Sequence, residues 1–267
     1  MRIRKLSEIT LAAIMSYTIL SCSKTTMPYS DVVDQKVDSI LMLMKKKKKI
    51  GQLNLVTSDM DVTGPFIRKG YEEDIAKGRV GAIFNAYGAG YTRKLQELAV
   101  NNTRLRIPLL FGYDVIHGHK TIFPVPIGEA SSWDLEAIER SARVAAEEAS
   151  AQGLHWTFAP MCDIARDPRW GRVVEGSGED PLLGSLIAQA RVRGFQGTDL
   201  SQTNTILACV KHFAAYGAAQ AGRDYHSVDM SERQLREVYL PPYKAAIDAG
   251  ALSVMSSFND LNGIPAT

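Results

Sequence analysis

The sequence predicts an α/β fold: an incomplete (β/α)8 barrel of the TIM type, with about five of the eight strand–helix units present. Three observations predict it. Five short apolar runs alternate with helical stretches. Each run is almost continuously apolar, as a strand covered on both faces must be. Nearly every run ends in a polar residue, and the C-terminal rim of such a barrel is where its chemistry is done. Alternation alone would suit a doubly wound sheet equally well. The polar strand ends favour the barrel.

The runs are residues 80–84, 108–113, 154–159, 206–213 and 252–258. Their polar ends are Asn85, Asp114, Asp163 slightly beyond its run, Lys211 with His212, and Asn259. The helices between them carry start and stop signals. Asp134 can cap a helix that sets Leu135, Ile138, Ala142, Ala145 and Ala149 on one face, and Gly153 ends it. Asp180 followed by Pro181 opens another, with Gly194 as its stop. Ser231 to Gln234 reads as a capping box, Pro241 and Pro242 interrupt, and Gly250 closes the next helix.

Ahead of the barrel, Arg2, Arg4 and Lys5 precede an apolar stretch over residues 9–20, too short to span a bilayer. Ile19-Leu20-Ser21-Cys22 resembles a bacterial lipobox. The expected organisation is a lipoprotein-type signal peptide over 1–21, a lipidated Cys22, a polar tether over 22–36 and the barrel domain over 37–267. That places the chain in the periplasm or at the outer membrane, touching a membrane only through a lipid anchor. Val37, Ile40, Leu41 and Met44 recur at helical spacing within residues 36–50. Residues 45–49 are all lysine. They read as a solvated helix end, where cations suit the macrodipole, or as a membrane-surface segment beside the anchor.

With 45% hydrophobic residues the chain has material for a large core, which excludes a disordered, coiled-coil or disulfide-stapled scaffold. A formal charge of +2 gives no ground for nucleic-acid binding. Beyond Cys22, Cys162 and Cys209 read as buried free thiols.

The candidate chemistry lies on the rim. Arg172, Lys211 and His212 are cations with Arg169 near them, beside the carboxylates Asp114, Asp163, Asp167, Glu175, Glu179 and Asp180 and the three tryptophans Trp133, Trp156 and Trp170. Such a set suits a neutral polyhydroxylated ligand. Carboxylates accept from adjacent hydroxyls, cations donate to the next, and an aromatic face covers the C–H face of the ring. A phosphate would use the same cations, but no glycine-rich phosphate loop accompanies them. His117 and His119 lack further ligands of metal-site spacing, and no cofactor or metal is expected. Residues 167–172 also read as a turn with internal Asp–Arg pairing.

FGYDVIHG (111–118), TIFPVPIG (121–128), APMCDIARDPRWGRVVEGSGEDP (159–181), CVKHFAAYG (209–217) and VDMSERQLREVYLPPYKAAIDAG (228–250) resemble glycoside hydrolase family 3, and within it the periplasmic β-glucosidases. The resemblance implies a barrel beside a second α/β sandwich domain. It implies retaining hydrolysis of terminal β-D-glucosyl residues by a nucleophilic Asp and a Glu acid/base. By motif, Asp114, Arg172, Lys211 and His212 hold hydroxyls of the non-reducing sugar, and Phe258 occupies a wall position. A β-linked oligosaccharide or glycoside is the implied substrate.

Two departures stand out. Lys46 to Lys49 replace the acidic helix start usual in the family, at a cost of about a kcal/mol or less. The nucleophile segment is expected roughly 20 residues past Thr267 on a sixth strand, and the sandwich domain is absent. The chain is therefore expected to be an inactive fragment. Two alternatives stand beside this: an N-acetylhexosaminidase-type member using Asp224 and His226, and a surface lipoprotein that binds sugars without cleaving them.

Overall fold

The computed structural model describes residues 29–60 and 70–267. The expected signal peptide and the Cys22 anchor lie outside the described residues. The chain divides into two compact units, 1–44 and 45–267.

The described part of the first unit is helix α1 (Tyr29–Leu43). It begins well before the helix expected from residue 36. In the second unit, Lys45 is extended (φ −73°, ψ 157°) and precedes α2 (Lys46–Gln52). The lysine run therefore sits at a helix start, where the macrodipole disfavours cations. The expectation that these charges complement a helix end is corrected. One continuous helix over 36–50 does not form, because the chain breaks at the first lysine.

Among the described residues six parallel strands follow, one more than the sequence suggested: β1 (Leu55–Thr57), β2 (Ala82–Phe84), β3 (Leu110–Tyr113), β4 (Trp156–Thr157), β5 (Cys209–Phe213) and β6 (Ser253–Ser256). β1 to β4 pair in sequence order, with Ile83 opposite Phe111 and Gly112 opposite Trp156. Parallel bridges Trp156–Leu207 and Met161–Lys211 carry the pairing on to β5, which pairs with β6. Each strand thus lies beside its successor. A doubly wound sheet reverses its strand order at a switch point, and no reversal occurs among the described strands. A two-stranded antiparallel hairpin, β7 (Asp260–Leu261) with β8 (Ile264–Pro265), follows β6.

The crossovers are helical: α3 (Tyr71–Ala76), α4 (Ala89–Asn102), α5 (Pro126–Ala130), α6 (Leu135–Ala151), α7 (Pro181–Gln196), the single turn α8 (Glu232–Gln234) and α9 (Pro241–Asp248). The inner faces of α3, α4, α6, α7 and α9 pack on the sheet in one apolar core that joins Ile83, Leu95, Phe111, Ala146, Phe195, Val210 and Ala246. Three capping expectations hold. Asp134 accepts from the Ala137 amide at 2.9 Å, Asp180 from Leu183 at 2.8 Å and Ser231 from Gln234 at 3.2 Å. Gly153 follows α6 with φ 83°, which the missing Cβ permits. Gly194 is not a stop. α7 runs on to Gln196, and a Cβ on Gly194 would lie 2.4 Å from the Glu139 carbonyl oxygen. The glycine lets α6 and α7 approach.

Candidate functional site

The site forms where β3, β4 and β5 end. Between Val210 and Phe213 the β5 register slips against β6, with Val210 opposite Val254 and Phe213 opposite Ser256. Neighbours on a regular strand point to opposite faces. At this irregularity the adjacent residues Lys211 and His212 each meet a carboxylate, Asp114 and Asp163.

Lys211 Nζ donates to Asp114 Oδ1 at 2.9 Å; the lysine side chain is 3% exposed and the aspartate 41%. Arg172 holds Glu175 in a two-pronged pair, Nε to Oε1 at 2.7 Å and Nη2 to Oε2 at 2.8 Å. Burial pushes the Glu175 carboxyl up. The hydrogen bonds and charge of Arg172, then the charges of Lys211 and His212, pull it below the ordinary glutamate value. Burial alone would lower the Arg172 guanidinium, but Glu175 raises it further, so it stays charged.

His212 is sealed from below. Its Nδ1 lies 2.9 Å from Asp163 Oδ2, which also accepts the His212 amide at 2.9 Å. The Tyr243 hydroxyl, from α9, lies 2.7 Å from both Asp163 Oδ1 and the His212 carbonyl oxygen. Burial pushes the Tyr243 hydroxyl pKa up, so it remains a donor. This network fixes the imidazole before any ligand arrives.

An aromatic wall stands beside the cations. Phe258, half exposed, meets His212 at 5.6 Å, Tyr216 at 5.4 Å and Tyr225 at 5.2 Å between ring centroids. Arg172 lies 5.8 Å over the Tyr216 ring. Trp170, buried, packs edge-on against Tyr216 and donates to Asp224 Oδ1 at 2.9 Å; Tyr216 donates to the same oxygen.

The structure thus gathers Asp114, Arg172, Lys211, His212 and Phe258. Other rim candidates have local duties. Asp167 pairs with the exposed Arg169, whose hydrogen bonds hold its carboxyl at about 2; this is the turn the sequence allowed. Asp180 is a helix cap, and Trp133 is 64% exposed on the turn before α6. Trp156 donates to Ser253 at 2.9 Å. His117 Nδ1 lies 2.8 Å from the Phe123 carbonyl oxygen, and the His119 ring packs against Tyr87 and Tyr113. Asp224 spends its carboxylate on Trp170 and Tyr216, and no hydrogen bond joins it to the exposed His226 among the described residues. Sequence reasoning did not single out Tyr216, Tyr225 or Tyr243. An aromatic directly before a glycine in the 213–217 stretch was the available signal for Tyr216; Tyr243 sits on a distant helix and gave none.

A model described as the glycosyl hydrolase family 3 N terminal domain matches residues 45–267. The chain is 46% identical to a periplasmic beta-glucosidase of Salmonella typhimurium over 88% of its own length and 30% of that protein's. The crystal structure of a beta-glucosidase from Listeria innocua in complex with glucose superposes with a TM-score of 0.79 at 41% identity, over 87% of this chain and 34% of that one. An exo-1,3/1,4-beta-glucanase from a Pseudoalteromonas species gives 0.78 at 29% identity, over 88% and 31%. A polar site at the strand ends of a sequential parallel sheet, with these matches, makes this chain a member of glycosyl hydrolase family 3. It spans about a third of the length of these relatives.

Proposed function

We propose that these residues are the sugar-holding part of a β-glucosidase-like enzyme that removes terminal β-D-glucosyl residues with retention of configuration. The half-open pair Lys211–Asp114 carries this reading. Asp114 keeps a water-facing carboxylate able to accept from two neighbouring hydroxyls, while the buried ammonium holds its position. Arg172 and His212 donate to further hydroxyls. Phe258 and Tyr225 offer apolar faces to the ring. The identity with periplasmic and glucose-bound relatives supports glucose as the sugar held.

The six sequential strands are read as the open part of a (β/α)8 barrel. Retaining hydrolysis needs two carboxyl groups about 5 Å apart flanking the bond. The carboxylates gathered here, Asp114, Asp163, Glu175 and Asp224, already hold cations or donors. By the family resemblance, the nucleophile and acid/base are assigned to residues outside these 267. We place the protein in the periplasm or at the outer membrane, anchored through an acylated Cys22.

Calorimetry with glucose and turnover of an aryl β-glucoside test this. The 267-residue chain should bind glucose weakly and release no aglycone. Lys211→Met and Asp114→Ala should each abolish the binding heat. Substantial turnover by the chain alone, or unchanged glucose affinity in both variants, refutes the proposal.

A further inference from the structure

Tyr216 is fully buried, yet the groups around its ring belong to the sugar site. Arg172 lies over the ring, His212 meets its edge at 5.2 Å and Phe258 packs with ring centroids 5.4 Å apart. A shift of this one ring would disturb the cation and the aromatic wall together, because close-packed interiors transmit displacement. The ring is held at its hydroxyl. That hydroxyl donates to Asp224 Oδ1, which also accepts the Trp170 indole N–H at 2.9 Å. Burial and then the Asp224 carboxylate push the Tyr216 hydroxyl pKa up, so it stays a donor. One carboxylate oxygen thus ties down two buried rings from two segments of the chain.

Asp224 itself is exposed, in the stretch between β5 and α8. The backbone there is bent to bring it inward. Ala221 and Tyr225 take positive φ of 56° and 60°, uncommon for residues with a Cβ. Gly222 seats against the next segment: a Cβ there would fall 2.9 Å from the Trp170 amide nitrogen. A surface carboxylate so placed could serve stability alone if the rings it holds were remote from the ligand groups. They are in contact with them.

We infer that Asp224 is a positioning residue of the sugar site: through Tyr216 it sets where Arg172 and Phe258 stand against the sugar. The inference rests on the sugar-holding reading given above. Asp224 acts through the ring, and its bonds are charge-assisted, the stronger kind of hydrogen bond.

Two measurements on the full chain test it: glucose calorimetry, and the Arg172 Nε–H signal in a nitrogen–proton correlation spectrum, identified by its loss in Arg172→Lys. Arg172 Nε bonds to Glu175 at 2.7 Å and its guanidinium lies over the Tyr216 ring, whose ring current reaches that proton. Asp224→Ala should move the signal and weaken glucose binding about tenfold. Asp224→Asn keeps an acceptor oxygen and should restore both. Tyr216→Phe should match Asp224→Ala, and the double variant should lose no more than either single, since both remove one interaction. A loop that only held the fold together would give losses that add. An unmoved signal or unchanged glucose affinity in Asp224→Ala, or additive losses, overturns the inference. If the parent chain binds no glucose, the sugar-holding reading is what fails; the signal across the same variants then decides by itself whether Asp224 positions Arg172.

Discussion

Arg191 and Glu129, between α7 and α5, form an ion pair whose side chains are 5% and 8% exposed. Lys211 and Asp114 form one whose side chains are 3% and 41% exposed. Both bury a cation. In the first, the carboxylate is buried too, and Arg191 also donates to the Ile116 carbonyl at 2.9 Å; burial pulls its guanidinium down and Glu129 draws it back. In the second, the carboxylate faces outward. The sealed pair ties helices together. The half-open pair leaves hydrogen-bonding capacity for a ligand, and that separates a structural charge from a functional one better than residue type does.

The largest effect should come from breaking the sealed pair. Glu129→Ala leaves the buried Arg191 charge without a carboxylate and should cost about 3–5 kcal/mol of unfolding free energy. Replacing both residues, Glu129→Leu with Arg191→Met, should recover most of it in urea denaturation. Equal losses in the single and double variants would remove the distinction drawn here. At the half-open pair the two partners should differ. Asp114→Ala strands a buried ammonium and should cost about 1–3 kcal/mol. Lys211→Met leaves a solvated carboxylate and should cost under about 1 kcal/mol. The reverse order would mean that Asp114 is the buried member.

Acid titration sharpens the comparison further. The folded value of Glu175 is depressed, so its pair with Arg172 stabilises the fold above the unfolded glutamate value of about 4.3. That contribution is lost as pH falls through the lower folded value. The stability curves of the parent and Glu175→Gln should separate above about pH 5 and converge in acid; parallel curves would refute the depressed value. The smallest effect belongs to the surface pair of the 167–172 turn: Arg169→Ala should leave the melting temperature unchanged.

The sheet was legible where apolar runs were long and ended in polar residues. β1 escaped because Leu55, Val56 and Thr57 closely follow the short helix α2 and make too brief a run to stand out. Gly194 read as a stop because that is glycine's commonest local role, whereas its reason here is the Glu139 carbonyl of another helix. Asp114, Arg172, Lys211 and His212 were legible from strand ends and motif. That Asp163 and Tyr243 lock His212 was not, since their partnership joins residues 80 apart in sequence. Local pattern marks which groups carry charge; it does not say which of them the fold will seal.

The slipped register in β5 has a consequence for redesign. It lets adjacent residues answer to separate neighbours, Lys211 to a reachable aspartate and His212 to an enclosed one. The first contact can therefore be changed while leaving the scaffold beneath the second untouched.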